Sequence, residues 1–328
     1  MAASSPPRAR EVLPSLLSAR DRPLRHVVLG VLTLVACTVT FQLLFAQPAA
    51  GMGDAFTFAL CLLLILGSHE MGHWFLARHH GVDASLPYFI PTPLVGFGTL
   101  GAVIRLRGRI PDRRALVDIG ASGPLAGLVV AIPLLIYGLA QSPVVPAVPS
   151  AFAVGGPESL WGVLGRLPGI ARDGAWLQWL SSEGALGLRF GDNLLLHVLK
   201  RGVFGIPPGF DVAPHPVVLA AWVGLLVTML NLLPIGQLDG GHLAYALFGR
   251  RARWVGALAV LGLLGLALLV SAGWTLWLVI VPLVIGLGHP PVERPEVALT
   301  PGRRWLCALC ALALVLCLIP LPIETVYP

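Results

Sequence analysis

Residues 69–73 read HEMGH and lie near the end of a long apolar run. On a helix, His69 and His73 stand one turn apart on the same face, so both imidazoles can reach a single ion. Glu70, next to the first histidine, is close enough to act on a water held by that ion. This set of groups performs metal-assisted hydrolysis, and zinc is the ion it suits. A catalytic zinc usually takes three protein ligands and keeps a fourth position open, so HEMGH is one ligand short.

The segment NLLPIGQLDGGH, residues 231–242, closes another apolar run and carries a candidate for the third ligand. A carboxylate near the bilayer interior costs about 2.5 kcal/mol or more unless it pairs or binds a cation. Within the apolar runs the only acids are Glu70 and Asp118, with Asp239 at the end of one. Asp239 is therefore expected to complete the ligand set. Pro234, Gly236, Gly240 and Gly241 break the segment in the way needed to aim that aspartate inward. Asn231 would lie about two turns before Asp239 on a continuous helix. It is expected either to donate a hydrogen bond into the cleft or to make a polar helix contact. His242 is expected either to orient the Asp239 carboxylate or to lie at the surface.

The elements that must position these groups are membrane helices. Hydrophobic residues make up 56% of the 328-residue chain and charged residues 12%, whereas a soluble domain is about a quarter charged. Runs near the roughly 20 residues needed to cross a bilayer fall at 28–46, 55–77, 115–140, 216–235, 254–272, 274–288 and 305–322. The expected fold class is thus an all-α polytopic membrane protein of about seven transmembrane helices. The run at 274–288 is short, holds Pro282, and is expected to be tilted, kinked or re-entrant. The domain reading is a disordered cytoplasmic tail (1–27), a membrane domain with spans one to three (28–140), an extracytoplasmic connection (141–214) and a membrane domain with spans four to seven (215–328). Trp161, Trp176 and Trp179 suggest interfacial helices in the connection.

Arginines set the orientation. Arg8, Arg10, Arg20, Arg22 and Arg25 precede the first run, and Arg78, Arg105, Arg107, Arg109, Arg113 and Arg114 surround the link between the second and third. Alternation then puts Arg250, Arg251, Arg253, Arg294, Arg303 and Arg304 on the same, cytoplasmic side. The net charge of +6 follows from these flanks, so no nucleic-acid partner is expected. Residues 1–25 lack the apolar core of a secretory signal. A single lysine against 21 arginines leans toward a GC-rich bacterial genome, and so toward a bacterial inner membrane.

Within Gly96–Ile110, residues 103–109 alternate partly in character, as an edge strand would. The expectation is a membrane-associated β-hairpin between helices two and three that pairs with an unwound substrate by strand addition; the alternative is an ordinary cytoplasmic loop. Cys37, Cys61, Cys307, Cys310 and Cys317 all fall in apolar runs and read as packing residues, the CxxC at 307–310 included. His79 and His80 read as interfacial. Asp118 is expected to pair with Arg113 or Arg114, and Gly120, Gly123 and Gly127 to allow close helix packing.

HEMGH followed far downstream by NLLPIGQLDGG resembles the site-2 protease family of intramembrane zinc metalloproteases. PYFIPTPLVGFGTLGAVIRLRGRIPDRRALVDIGASGPLAGL, residues 87–128, is similar to the subgroup that includes the chloroplast enzymes named for ethylene-dependent gravitropism. The resemblance covers about residues 55–250. It implies one Zn2+ per chain held by His69, His73 and Asp239, Glu70 as the catalytic glutamate, and Asn231 in the cleft. The implied substrate is a transmembrane helix of another protein, cut in or near the lipid bilayer, often within a regulatory cascade. The chain departs from many relatives in lacking an obvious PDZ domain. Two alternatives stay open: a polytopic metal-binding transporter, in which broken helices carry charge at the midplane, and a catalytically silent homologue.

Overall fold

A computed structural model of the chain describes residues 22–45, 50–147, 160, 187–281, 283 and 286–326. The expected tail up to Arg20 and the three tryptophans of the connection lie outside the described residues, as does Pro282.

In chain order, α1 (Pro23–Leu44) and α2 (Met52–His79) are followed by strands β1 (Tyr88–Pro91) and β2 (Thr99–Val103), then α3 (Arg113–Gln141) and β3 (Val144–Pro146). After the connection come β4 (Gly187–Phe190), α4 (Leu194–Val198), a π-helical turn (Leu199–Val203), β5 (Phe210–Val212) and α5 (Pro216–Asn231). The chain ends with α6 (Asp239–Phe248), a 3-10 turn (Gly249–Arg251), α7 (Ala252–Leu269), α8 (Trp274–Ile280), α9 (Pro301–Cys317) and β6 (Ile323–Val326).

Among the described residues, four helical stretches are long and apolar enough to cross a membrane: α1, α2, α3 and Asp239–Leu269. The last is interrupted by the 3-10 turn at Gly249–Arg251. The other expected spans are shorter. α5 has 16 residues and α9 has 17, below the roughly 20 that a full crossing takes. Among the described residues of the stretch expected at 274–288, α8 has seven residues and is followed by π-helical Val281 and Leu283.

α2 is the central helix and packs against α1, α3 and α5. Phe58, Leu62 and Ile65 of α2, Leu116 and Leu135 of α3, and Trp222, Leu225 and Met229 of α5 are fully buried in this core. Small residues bring the helices together, as they must where lipid removes the hydrophobic drive between them. A Cβ on Gly224 would lie 2.7 Å from Ile65 Cγ2, and one on Gly138 would lie 2.8 Å from the Val218 nitrogen. The outer faces are apolar too, with Leu24, Val27, Val31 and Val35 of α1 exposed, a surface suited to hydrocarbon rather than water.

β1 and β2 pair antiparallel, Tyr88 opposite Val103 and Phe89 opposite Ala102. At the base of the pair, the Pro87 carbonyl accepts from His26 Nδ1 at 3.0 Å, near the start of α1. Near the tip, the Leu94 nitrogen donates to Thr40 Oγ1 at 2.9 Å. His26 and Thr40 are separated by about 21 Å of helix at ~1.5 Å per residue, so the strand pair lies along α1 through most of its length. Phe97 anchors the tip, with its ring 5.1 Å from Phe45 and 6.2 Å from Trp222.

At the Arg113 end of the bundle, the expected pairing of Asp118 is replaced by a different one. Its carboxylate accepts from Arg303 Nε at 3.0 Å and Nη2 at 2.6 Å, and from His80 Nε2 at 2.9 Å, which ties α9 to α2 and α3. Arg113 and Arg114 instead donate to the backbone, Arg113 Nε to Ala246 at 2.6 Å and Arg114 Nε to Ala298 at 2.8 Å. Sequence proximity favoured the arginines on the same helix, and Arg114 stands one turn from Asp118, but both guanidinium groups are drawn to backbone carbonyls and α9 presents a bidentate fork. The five cysteines are buried and free.

At the other end, β3 pairs with β5 and β4 with β6. Buried Lys200 donates to Asp192 at 2.7 Å and Asp211 at 2.6 Å. Burial raises the pKa of Asp211, but the hydrogen bond and charge of Lys200 outweigh it and hold the carboxyl below its ordinary value. A depressed carboxyl stabilises the fold above its unfolded pKa of about 3.9, and the stabilisation is lost as pH falls from there through the folded value. Lys200→Met should cost about 3 kcal/mol, read as faster amide exchange over 187–215 at neutral pH. Asp211→Asn should remove part of the acid sensitivity of that segment. Unchanged exchange in Lys200→Met would show that the clamp contributes nothing.

Candidate metal centre

α2 starts from Gly51, whose nitrogen donates to Asp54 Oδ2 at 3.0 Å, and runs without interruption past HEMGH. His69 and His73 therefore keep the one-turn spacing of a regular helix. Both are buried, 3% and 7% exposed, and so is Glu70 at 8%.

Asp239 arrives from a different element by a different local device. α5 ends at Asn231, and a seven-residue connection leads to α6, whose first residue is Asp239. The segment between Asn231 and Asp239 is broken where Pro234 and the glycines were expected to break it, because Pro234 has no N–H to continue the helix and Gly236 takes φ +53. At the start of α6 the carboxylate sits at the positive end of the helix dipole. The two glycines that follow are there for space. A Cβ on Gly240 would overlap the Leu232 carbonyl oxygen, and one on Gly241 that of Gly236.

The side chains converge. Asp239 Oδ2 is 3.3 Å from His69 Nε2, Asp239 Oδ1 is 3.2 Å from His73 Nε2, and the two Nε2 atoms are 3.2 Å apart. A tetrahedral metal ion with ligand distances near 2.0–2.1 Å places its ligand atoms about 3.3–3.4 Å from one another, close to this spacing. Hydrogen bonding fixes the tautomer of His73. The Ile119 carbonyl can only accept, so the 2.7 Å bond from His73 Nδ1 puts the proton on Nδ1 and leaves Nε2 a lone pair. The Asn231 amide nitrogen lies 3.3 Å from His69 Nε2, at the edge of the cluster. Two imidazole nitrogens and a carboxylate face one point, Asp239 Oδ2 lacks a hydrogen-bond donor, and a cation is what resolves this arrangement. His69, His73 and Asp239 are positioned to bind a metal ion.

α3 forms the back wall. A Cβ on Gly123 would overlap the His73 ring, one on Gly127 would lie 3.4 Å from His69 Cβ, and one on Gly120 would lie 3.0 Å from His242 Cβ. These glycines repeat at helical spacing, so one bare face of α3 admits three histidines. Beside Pro124, which lacks the N–H that would close the turn on Gly120, the Ile119 carbonyl accepts from both His73 Nδ1 and Ser122 Oγ, the latter at 2.7 Å.

Glu70 faces β2. Arg107 N donates to Asp83 at 2.8 Å and Ser85 N to the Arg105 carbonyl at 3.0 Å, so the odd-numbered residues bond toward the β1 side. By strand alternation the backbone groups of Ala102 and Ile104 turn to the opposite edge. There the Ile104 N–H is directed at the Glu70 carboxylate. His242 is part-buried, and its Nδ1 is 2.6 Å from Nε2 of His289, whose Nδ1 donates to the Pro290 carbonyl at 2.6 Å. His289 and Ile104 were invisible to sequence reasoning, since GHPP carries no ligand spacing and a backbone N–H has no residue type. His79 stacks edge-on against His80 at 5.2 Å and takes no part in the centre.

A buried His-His-Asp cluster with a glutamate beside it, carried by helices long and apolar enough to cross a membrane, defines a membrane-embedded metal centre. The description of peptidase family M50 fits residues 57–272, and the chain belongs to that family. It is 30% identical to the probable zinc metalloprotease EGY1, chloroplastic, of Arabidopsis thaliana over 81% of this chain and 42% of the relative. It is 29% identical to the probable zinc metalloprotease EGY2, chloroplastic, of the same plant over 70% of this chain and 35% of the relative. Identity to the EGY1 protein of Oryza sativa subsp. japonica is 32% over 69% of this chain and 34% of the relative. The chain thus spans less than half the length of these relatives. No solved structure matches it significantly. Membership of a peptidase family leaves the transporter alternative without support.

Proposed function

We propose that the chain is an intramembrane zinc endopeptidase that hydrolyses peptide bonds in or near transmembrane segments of other membrane proteins, as a step in regulated proteolysis. The observation that carries this is the convergence of His69, His73 and Asp239, with Glu70 next in the chain to His69 and met by the backbone N–H of Ile104. The same reading includes seven passes and a cytoplasmic N-terminus, supported by the placement of the arginines, and a bacterial inner membrane, supported by the single lysine against 21 arginines.

In this mechanism the imidazoles of His69 and His73 and the carboxylate of Asp239 would hold zinc. When bound, zinc supplies Lewis-acid polarisation of a carbonyl and makes a neighbouring water more acidic. Glu70 takes the proton of the attacking water and passes one to the leaving amine. The Ile104 N–H holds its carboxylate in place, and Ile119 holds the His73 ring. Asn231 stands at the edge of the cleft beside His69. A helical substrate must unwind first, because its carbonyls are engaged in helix hydrogen bonds. The edge of β2 away from β1, at Ala102, offers backbone partners to the unwound strand, beside the Ile104 N–H that holds Glu70.

Purified in detergent with a single-span substrate, the chain should cleave, stop when a zinc chelator is added and recover when zinc is restored. Cleavage indifferent to chelation would reject the proposal. Ala102→Pro deletes an outer-edge N–H while leaving the bonds toward β1 intact. It should lower cleavage of a transmembrane substrate at least about tenfold, the worth of a lost hydrogen bond or two, with zinc content unchanged. Normal turnover in that variant would remove the strand-addition step.

A further inference from the structure

α6 carries Asp239, yet the chain on either side of it does little to set its direction. It has ten residues, a non-helical connection cuts it off from α5, and the 3-10 turn at Gly249–Arg251 interrupts it before α7. Such a helix is placed by what grips its sides. At its C-terminal end, Arg113 Nε and Nη2 donate to the carbonyls of Ala246 and Leu247 at 2.6 and 3.0 Å. At its N-terminal end the grip falls on His242, three residues after Asp239 and so one turn along the same face.

His242 is pinched between two elements. On one side is the bare face of α3, where a Cβ on Gly120 would lie 3.0 Å from His242 Cβ and 3.4 Å from the Asp239 carbonyl oxygen. On the other is His289, whose Nε2 is 2.6 Å from His242 Nδ1. The Pro290 carbonyl can only accept, so the 2.6 Å bond from His289 Nδ1 puts a proton on that nitrogen. In the neutral ring Nε2 then accepts, and His242 Nδ1 is the donor. Tyr245 stacks on His289 with centroids 4.4 Å apart and planes 19° from parallel, which holds the plane of the acceptor.

His289 is anchored away from α6. The strap that follows it runs over the start of α3, with Glu293 N donating to the Ile110 carbonyl at 3.1 Å and Arg294 N to that of Pro111 at 3.0 Å. Arg294 Nη2 donates to Asp112 Oδ2 at 3.2 Å, and the Ala298 carbonyl accepts from Arg114 Nε at 2.8 Å. The start of α3 thus holds both Arg113, at one end of α6, and the strap bearing His289, at the other. Further along the same helix, Ile119 and Gly123 seat the His73 ring. One rigid element therefore serves as the common reference for ligands that come from α2 and from α6.

We propose that His289 is a positioning residue of the metal centre: through His242 it fixes the first turn of α6, and with it the place of the Asp239 carboxylate relative to His69 and His73. The proposal rests on the reading of those three residues as metal ligands, and it gives His289 no contact with metal or substrate.

The test is metal binding by the full chain in detergent, with two variants that separate the hydrogen bond from the packing. His289→Gln keeps an oxygen that can accept from His242 and loses the ring. His289→Phe keeps a ring against Tyr245 and loses the acceptor. Zinc affinity should fall about tenfold in His289→Phe, the lower figure for groups that orient ligands from outside, and stay within about twofold of wild type in His289→Gln, where the bond is kept. The visible spectrum of the chain loaded with Co2+, which reports ligand geometry, should shift in His289→Phe and match wild type in His289→Gln. Thermal unfolding of the metal-free variants separates a loss of fold from a displaced ligand. Affinity kept in His289→Phe and lost in His289→Gln would make His289 a packing residue, and equal affinities in the two would deny it any part in placing Asp239; either result overturns the proposal. His69→Ala checks the underlying ligand set separately, since undiminished zinc binding there would remove the metal centre whatever His289 does.

Discussion

Replacing Glu70 by Gln should abolish cleavage while sparing the metal. Gln keeps the length of the side chain and an oxygen that can accept from the Ile104 N–H, so the local geometry is retained. What it removes is the basicity needed to take a proton from the attacking water. General-base catalysis is worth typically about 10²–10⁴-fold, and the rate should fall by that factor. Glu70 is not among the three converging ligand groups, so zinc stoichiometry should stay at the wild-type value. Co-expression with single-span substrates gives the first readout and metal analysis of the purified variant the second. Retained cleavage would remove Glu70 from the mechanism, and loss of zinc together with cleavage would make it a ligand rather than a base.

Gly123→Ala should have an effect nearly as large by a different route. One added methyl on α3 would overlap the His73 ring, and the ring is already fixed by its 2.7 Å bond to the Ile119 carbonyl. Either His73 turns out of the centre or α2 and α3 move apart, and both break the ligand spacing. Disturbing the groups that orient a ligand costs about 10–100-fold in metal affinity, and displacing the ligand itself should cost at least the upper figure. Gly127→Ala is the comparison, because its Cβ would meet His69 at 3.4 Å, a distance that a small shift absorbs. Its affinity should stay within about tenfold of wild type. Zinc titration with unfolding measurements on both variants separates loss of metal from loss of fold. Wild-type zinc affinity in Gly123→Ala would mean that His73 does not lie against α3 as described.

The chemistry of the centre was readable wherever it depends on spacing along one helix. HEMGH puts two imidazoles on one face because a helix turns every 3.6 residues, and that holds before any partner is known. The rule does not reach from Asn231 to Asp239, because the chain between them is not helical, although Asn231, read as facing the cleft, has its amide 3.3 Å from His69 Nε2. It failed for Asp118, whose partner Arg303 lies 185 residues away. The hydropathy of the runs anticipated helices, but several are shorter than the runs, because proline and glycine end a helix without lowering hydropathy. The glycines of α3 were legible as a packing face, though not as the wall against which His69 and His73 are set.

By itself, the sequence determined which groups are present and which of them share a helix: two imidazoles and a carboxylate on α2, and an aspartate followed by two glycines at the close of an apolar run. Apolar composition determined that these helices belong in lipid. Only the tertiary structure decided that Asp239 meets His69 and His73 at 3.2–3.3 Å, that a bare face of α3 makes room for their rings, and that the Ile104 N–H, just past β2, reaches Glu70. The reason is physical. Local spacing fixes direction within an element, whereas distance between elements depends on how closely their surfaces can approach, and that is set jointly by residues far apart in the chain.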